Sequence, residues 1–594
     1  MDESQLNLFE TKADLRNNAA VQCRVVDDVA TSAVLESPKA LGAYYTDSQV
    51  AEFLVWWAVR DASDTVLDPA FGGGVFLRAA CKRLRAMGGN PSAQVFGIEI
   101  DPAVHRHIGE KLCEDGVAPA NLLAADFFVT GPERMRPVDV IVGNPPFIRY
   151  QKFSGDTRRR ALARAAEQGL KLSQLSSSWL PFLVHGIRML QPGGRLAMVI
   201  PFEIAHAAYA VPVLKHLDEK FHSVTLLTFR KKLFPDLSQD TLLLLAEGKE
   251  VRPAGQFHIR DMSHAGALAA IEKADRHPIP GVRRLDRGRV ASGQQRLIEY
   301  LLPRKARELY GEMCDADHTA TLGRCADVGI GYVTGANDFF HIDHDFATSL
   351  GLPNDYLRPC VCRGRALAGL RFTDADWNTA RERGDAGYLL HLPGAGRLPA
   401  AVGRYVADGE SRGIHKTFKC RTRSPWYRVP HVHMPDGFLT YMSGNLPRLV
   451  ANAAGVVAPN TLHVLRMHPG AGLTSNIAGL TSNMLSAVWQ TSLTRLSVEI
   501  EGHAMGGGML KLEPTEAERV LVPILAKKDN LEALAAELDY IARSGGDEAC
   551  QNHADAHLLR RGLGLSVADV RLLRESAVLL RGRRNSRSVL DERN

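Results

Sequence analysis

The stretch Val66-Leu67-Asp68-Pro69-Ala70-Phe71-Gly72-Gly73-Gly74 decides the fold. It begins as a short apolar run that ends in an acid, continues into three glycines, and helical spacing starts at Val75. Strand, glycine turn and helix in that order open a βαβ unit, and glycines there let the backbone take positive φ and approach a ligand closely. Working outward, apolar runs at 65–68, 94–100, 121–128, 138–142, 195–200, 223–229 and 241–246 read as strands. Helical patterns at 75–85, 102–113 and 175–190 separate several of them. Strands alternating with helices predict an α/β fold with a doubly wound, Rossmann-like sheet.

After residue 250 the rhythm changes. Residues 283–307 hold eight Lys/Arg against two acids, and from about 315 to 523 the chain is rich in Gly, Pro, Asn and Thr with short apolar runs. This predicts a second, mixed α+β domain with many loops. Residues 530–541 and 567–580 have amphipathic helical spacing, giving a short helical tail with a basic end. The expected boundaries are a leader at 1–40, an α/β domain at 41–265, a basic connector at 266–310, a mixed domain at 311–525 and a tail at 526–594. With 594 residues, 45% hydrophobic and 23% charged, the composition excludes a mainly disordered or collagen-like chain. Without a spanning apolar run or an apolar secretory signal, the expectation is a cytoplasmic protein, no membrane partner and reduced thiols. Among nine cysteines only Cys360 and Cys362 are close, and C-x-C without a second pair does not predict a metal site.

Acids stand at three successive strand ends: Asp68, Glu99 and Asp126. An acid after the second strand suits a ribose diol, and Asp126 suits an exocyclic adenine amine with Phe127 covering the ring. A dinucleotide fingerprint needs a further glycine three residues after Gly74, where Leu77 stands. No pyrophosphate turn is evident, which favours an adenosyl ligand without phosphates: S-adenosyl-L-methionine.

Asn144-Pro145-Pro146-Phe147 follows the strand at 138–142 directly. An amine conjugated to a ring is a poor nucleophile because its lone pair is delocalised. The Asn144 amide oxygen and the Pro145 carbonyl, held stiffly by two prolines, accept hydrogen bonds from such an amine and draw it toward tetrahedral geometry. Phe147 offers a face for stacking a base.

The order of these motifs resembles that of gamma-class adenine-N6 DNA methyltransferases of the TaqI type. Leu41-Gly42-Ala43-Tyr44-Tyr45-Thr46-Asp47 looks like the segment closing over the methionine end of the cofactor, through Tyr45 and Thr46. The resemblance makes Asp68, Pro69, Ala70, Gly72 and Gly74 the cofactor loop. It makes Glu99 and Ile100 the ribose position, Asp126 and Phe127 the adenine pair, and Asn144, Pro145 and Phe147 the catalytic motif beside the cofactor. Phe stands at 147 where the TaqI-type motif often has Tyr. Leu233-Phe234-Pro235 resembles the segment giving a second aromatic to the target base, with Phe229 the alternative if the alignment slips. Segments 331–340, 356–359 and 502–512 look like pieces of a target-recognition domain.

The resemblance implies a class I methyltransferase sheet and a site-specific enzyme of restriction-modification. It would move a methyl group from S-adenosyl-L-methionine to N6 of a flipped adenine in double-stranded DNA, without metal or covalent intermediate, with a cognate endonuclease on a separate chain. The same four-residue motif also serves enzymes that methylate RNA adenine or protein glutamine. The long second domain favours DNA, as does the acid-free run Arg412, Lys416, Lys419, Arg421, Arg423 and Arg428, which suits a polyanion. A non-catalytic DNA-binding subunit would not need an intact Asn144, Phe147 and Glu99.

Overall fold

The computed structural model describes residues 46–148, 152–172, 176–205, 210–234, 240–252, 255–275, 277–394, 396–469, 477–505, 508–525 and 530–585. Tyr45, Pro235, Gly506 and Gly507 lie outside the described residues. The chain forms two compact units dividing after Leu297. Among the described residues no helix is long and apolar enough to cross a membrane.

The first unit is built on nine strands: β1 (Val66–Asp68), β2 (Val95–Glu99), β3 (Leu122–Ala124), β4 (Val138–Gly143), β5 (Leu190–Pro201), β6 (Phe221–Phe229), β7 (Thr241–Lys249), β8 (Gln256–Met262) and β9 (Arg283–Arg284). Their spatial order is β3-β2-β1-β4-β5-β7-β6-β8-β9. The pairs β3–β2, β2–β1, β1–β4 and β4–β5 are parallel, as the alternation with helices requires. Strand β7 is antiparallel to both β5 and β6. It returns between them, so β6 points the same way as β5, and the β6–β7 loop emerges at the edge where β1, β2 and β4 end.

Helices α1 (Ser48–Ala58) and α2 (Val75–Ala86) pack on each other and on the sheet. The short α3 (Pro91–Gln94), then α4 (Pro102–Glu114), α5 (Gly155–Glu167), α6 (Trp179–Arg188) and α7 (Val211–Lys220) complete the layers. Strands β4 and β7 and the second half of β5 are almost continuously buried, the mark of a sheet covered on both faces. The order reverses at β1, which has β2 on one side and β4 on the other. At such a switch point a crevice opens beyond the carboxyl ends of the strands.

The connector expected at 266–310 is a point of difference. Its apolar Leu268, Ile271, Leu285 and Val290 are buried. The helix Ala267–Lys273 packs on α1, β9 joins the sheet, and Arg287 pairs with Asp218 of α7 at 3.1 Å. These residues therefore belong to the first unit's core.

The second unit contains a five-stranded sheet, in the order Ala326–Ile330, His463–Met467, Gly437–Leu439, Leu449–Asn452, Arg371–Phe372. It also holds a three-stranded sheet, His341–Ile342, Ala386–Leu390, Leu357–Val361, a second three-stranded sheet of two-residue strands, and a two-stranded one. The helices of the expected tail are part of this unit's core. Leu531, Leu538, Cys550 and Leu558 pack in one cluster with Leu485 and Trp489, and Arg584 pairs with the buried Glu499 at 2.9 Å. Arginines read as a basic end from composition are thus inward-facing partners at 584 and 581, both on Glu499.

Candidate active site

β1 delivers Asp68 to the switch point, and the chain leaves it through the glycine turn. Gly74 has φ 73° and stands at the start of α2; a side chain there would meet Ile108 Cγ2 at 2.9 Å, so both backbone and space demand glycine. β4 delivers Gly143 and Asn144 beside it. A Cβ at Gly143 would lie 2.9 Å from Asp68 Oδ1, so the two strand ends touch only because position 143 has no side chain. That requirement gave no signal in the motif reading.

Asp68 is 1% exposed. Its Oδ1 accepts from the Ala70 N–H at 3.1 Å, and its Oδ2 has no partner among the described residues. Burial, and secondarily the charge of Glu99, pushes its carboxyl up to about 8 against the Ala70 hydrogen bond. A buried carboxyl with one oxygen unmatched is a receptor for a donor or a cation. Glu99 bridges the turn to its own strand end: Oε2 accepts from Gly72 N–H at 3.0 Å and Oε1 from Asp101 N–H at 2.9 Å. Each oxygen keeps a lone pair for a diol. Ile100, next in line, is 56% exposed, an apolar side chain of the size and place to lie against a ring.

Asp126 caps the short helical turn Phe127–Val129 by accepting from Phe128 N–H at 3.0 Å, and its Oδ2 lies 3.5 Å from Arg160. Phe127 differs from its expected use as the cover of an adenine ring. Its ring is buried 4.8 Å from Phe182 and 4.6 Å from His185 of α6, so its bulk serves the core. Among the pair, Asp126 stands at the site's edge.

The Asn144 loop is pinned from α6. Ser178 Oγ donates to the Pro146 carbonyl and accepts from Ile148 N–H at 2.9 Å, and Ser178 N–H donates to the Ile148 carbonyl at 3.1 Å. A serine 34 residues downstream carries no motif, so sequence reading missed it. Asn144 Nδ2 donates to Thr46 Oγ1 at 3.2 Å, joining the segment before α1 to the loop. Asn144 Oδ1 is buried and has no partner among the described residues. Pro145 and Phe147 are buried beside it. Phe234 and Phe229 are both buried, Phe229 ending β6 and Phe234 in the loop toward β7, on the same edge of the sheet.

These groups fit S-adenosylmethionine: an unmatched buried carboxyl oxygen for its amino group, an acid for its ribose, and an exposed apolar side chain beside it for its adenine. Nothing in the set resembles a phosphate cradle.

In the second unit, Arg412, Lys416, Lys419, Arg421 and Arg428 are exposed, Arg412 paired with Asp408 at 3.3 Å. Phe418 stands among them 65% exposed, with Lys419 Nζ 5.6 Å and Arg421 Cζ 5.3 Å from its ring. Arg423 departs from the expected free basic run. Its guanidinium donates to the carbonyls of Val333 at 2.5 Å and Thr334 at 2.7 Å, so it holds the loop at 331–336 instead of facing solvent.

Comparison with known proteins follows the same division. Residues 31–272 match the family described as N-6 DNA Methylase, and residues 294–559 match the C-terminal domain of type II methyltransferase M.Eco57I. The chain is 21% identical over 555 residues to type II methyltransferase M.AccI of Acinetobacter calcoaceticus, covering 91% of this chain and 96% of that one. It is 22% identical over 517 residues to M.XamI of Xanthomonas campestris pv. amaranthicola, covering 84% and 87%. Among solved structures, the type IIL restriction-modification enzyme MmeI in complex with DNA shares the fold with TM-score 0.50 and 13% identity, over 87% of this chain and 73% of that one. The type ISP enzyme LlaBIII bound to DNA does so with TM-score 0.50 and 10% identity, over 84% of this chain and 39% of that one. The chain belongs to the type II methyltransferases of restriction-modification systems, DNA methyltransferases whose methyl donor is S-adenosyl-L-methionine.

Proposed function

We propose that the acceptor is N6 of an adenine turned out of duplex DNA, in the manner of the gamma-class, TaqI-type enzymes. The observation that carries this reading is the Asn144 amide. Its nitrogen is tethered to Thr46 while its oxygen is buried with no partner among the described residues, at the crevice beside Asp68. A desolvated acceptor at that point asks for an N–H donor, and an exocyclic amine supplies two.

Asp68 holds the cofactor's amino group, Glu99 its ribose hydroxyls, and Ile100 and Asp126 flank its adenine, with the segment of Tyr45 and Thr46 over the methionine end. When bound, S-adenosylmethionine supplies a methyl group already activated by its sulfonium. The chain's own task is then orientation. Asn144 Oδ1 and the Pro145 carbonyl accept from the target amine, localising its lone pair. Ser178 keeps the Pro146 and Ile148 backbone in place so that these acceptors stay aimed. Phe147 and Phe234 stack on the displaced base, whose extraction exposes the amine. No strong base is needed, because the methylated nitrogen is acidic enough to lose its proton to water.

Lys416, Lys419, Arg421 and Arg428 lie against phosphates, and the second unit reads the sequence. The enzyme works in the cytoplasm, with a cognate endonuclease on a separate chain. The test is methyl transfer by Asn144→Ala on duplex DNA, RNA and protein substrates, alongside calorimetry of cofactor binding. Loss of transfer to DNA with cofactor affinity held within a few-fold is expected. Parallel loss of both, or preference for RNA or protein, would remove the assignment.

A further inference from the structure

Cys360 and Cys362 gain a third neighbour in the fold that their spacing does not announce. In the three-stranded sheet, Cys360 lies opposite Gly387 and His341 lies opposite Leu389 of the same central strand. Alternation along strands puts His341, Gly387 and Cys360 on one face, and Cys362, two residues on, follows it. Gly387 sends no side chain between them. The imidazole nitrogen and the two sulfurs all lie within 4.8 Å of one another, with the sulfurs 3.6 Å apart. Tyr332, 3% exposed, brings its hydroxyl to 3.0 Å from His341 Nε2.

We propose that Cys360, Cys362 and His341 bind one zinc-class divalent cation, with the Tyr332 hydroxyl facing the fourth position. Two thiolates at about 2.3 Å from a tetrahedral zinc stand about 3.8 Å apart, close to the separation found here. A disulfide fits less well. Residues i and i+2 of an extended strand are about 6.6 Å apart, at the far end of the range a disulfide spans, and their Cβ vectors run side by side. The ligand chemistry, two sulfurs and one imidazole, selects zinc over magnesium or calcium.

The cation would brace a particular piece of the second unit. Tyr332 N–H donates to the Ala458 carbonyl and Val361 N–H to the Val457 carbonyl, so the loop at 331–336 and the strand of Cys360 are already fixed to one segment. The two residues after Tyr332 offer the carbonyls that Arg423 holds, and Cys420 Sγ donates to the Thr334 carbonyl. A metal at this point ties the basic stretch around Phe418 to the sheet beneath it.

The full-length protein, purified without chelator and dialysed against micromolar zinc followed by metal-free buffer, is measured by inductively coupled plasma mass spectrometry. About one zinc per chain is expected. Replacement by cobalt(II) should give the visible bands of a tetrahedral site and a thiolate-to-cobalt charge-transfer band. Cys362→Ser, which removes a half-buried ligand, should lose the charge-transfer intensity and most of the zinc. Cys360→Ala is the less secure variant because that position is fully buried, but the wild-type cobalt spectrum stands without it. Background zinc in the wild type with no charge-transfer band overturns the proposal. So does unchanged metal content in Cys362→Ser, or a metal-free protein whose mass is lower by two hydrogens, which would make the pair a disulfide.

Discussion

Asp68→Asn tests the cofactor crevice through a quantity that the structure sets. The carboxyl is buried, one oxygen has no partner among the described residues, and burial raises it from its ordinary 3.8 to about 8. At pH 7 it is one unit below that value, so ionising it costs about 1.4 kcal/mol. A cofactor whose ammonium needs the carboxylate must supply that energy. Wild-type affinity should therefore rise about tenfold per pH unit from 6 to 7 and level near 8, where an α-amino group itself begins to lose its proton. Calorimetry in two buffers of different ionisation enthalpy should find nearly one proton released per cofactor bound at pH 7. In Asp68→Asn the rise and the proton release vanish, and affinity at pH 8 falls by about 1.5–3 kcal/mol.

Stability without cofactor moves the other way. The folded-state value lies above the unfolded one, so the native chain binds more protons than the unfolded chain between the two. This group's contribution is present at low pH and is lost as pH rises, by at most about 1.4 kcal/mol per unit. The Asn variant should melt higher than wild type at pH 8 and not at pH 4. Wild-type affinity that is flat from pH 6 to 8, with no proton release, would refute the reasoning.

Glu99→Gln should weaken cofactor binding by about 1.5–3 kcal/mol, the range for charged hydrogen bonds, and calorimetry showing unchanged affinity would take Glu99 out of the site. Phe147→Ala and Phe234→Ala should each reduce the fluorescence rise of 2-aminopurine at the target position, since stacking is worth about 1–3 kcal/mol per base; an effect from Phe229→Ala and none from Phe234→Ala would reassign that segment. Neutralising Lys419 and Arg421 should lower the salt dependence of duplex binding by about 0.9 per lost phosphate contact without changing the methylated site, whereas Arg423→Ala should lower the melting temperature instead. Equal effects from Arg423 and its neighbours would contradict the separate role that its two carbonyl contacts give it.

The first unit was legible because its strands are buried on both faces and its helices keep a clean period. All seven expected strands exist, and the turn at Gly72–Gly74 joins β1 to α2 as its glycines require. What sequence could not reveal was direction. Nothing in Thr241–Lys249 says that it runs against its neighbours, because pairing partners far along the chain decide that. The segment at 266–297 looked like a connector because its arginines dominate the composition while a few apolar side chains do the packing. The second unit was legible only as a mixed domain, since its strands of two to five residues are too short to show a period.

Single side chains divided in the same way. Asp68, Glu99 and Asn144 stand where their motifs put them, because strand ends position them. Phe127 and Arg423 face elsewhere, because α6 and the loop at 331–336 offered each a closer partner. Ser178, Gly143 and His341 matter through contacts with residues distant in sequence, which no local pattern records.

The central claim is that the Asn144 loop methylates N6 of adenine in DNA. The most direct measurement is nucleoside mass spectrometry, with modification-sensitive sequencing, of DNA from cells expressing the wild type or Asn144→Ala. N6-methyladenine at one recurring sequence is expected with the wild type and none with the variant. Methylation on cytosine, modified adenine that persists in Asn144→Ala, or unmodified DNA beside methylated RNA or protein would contradict it.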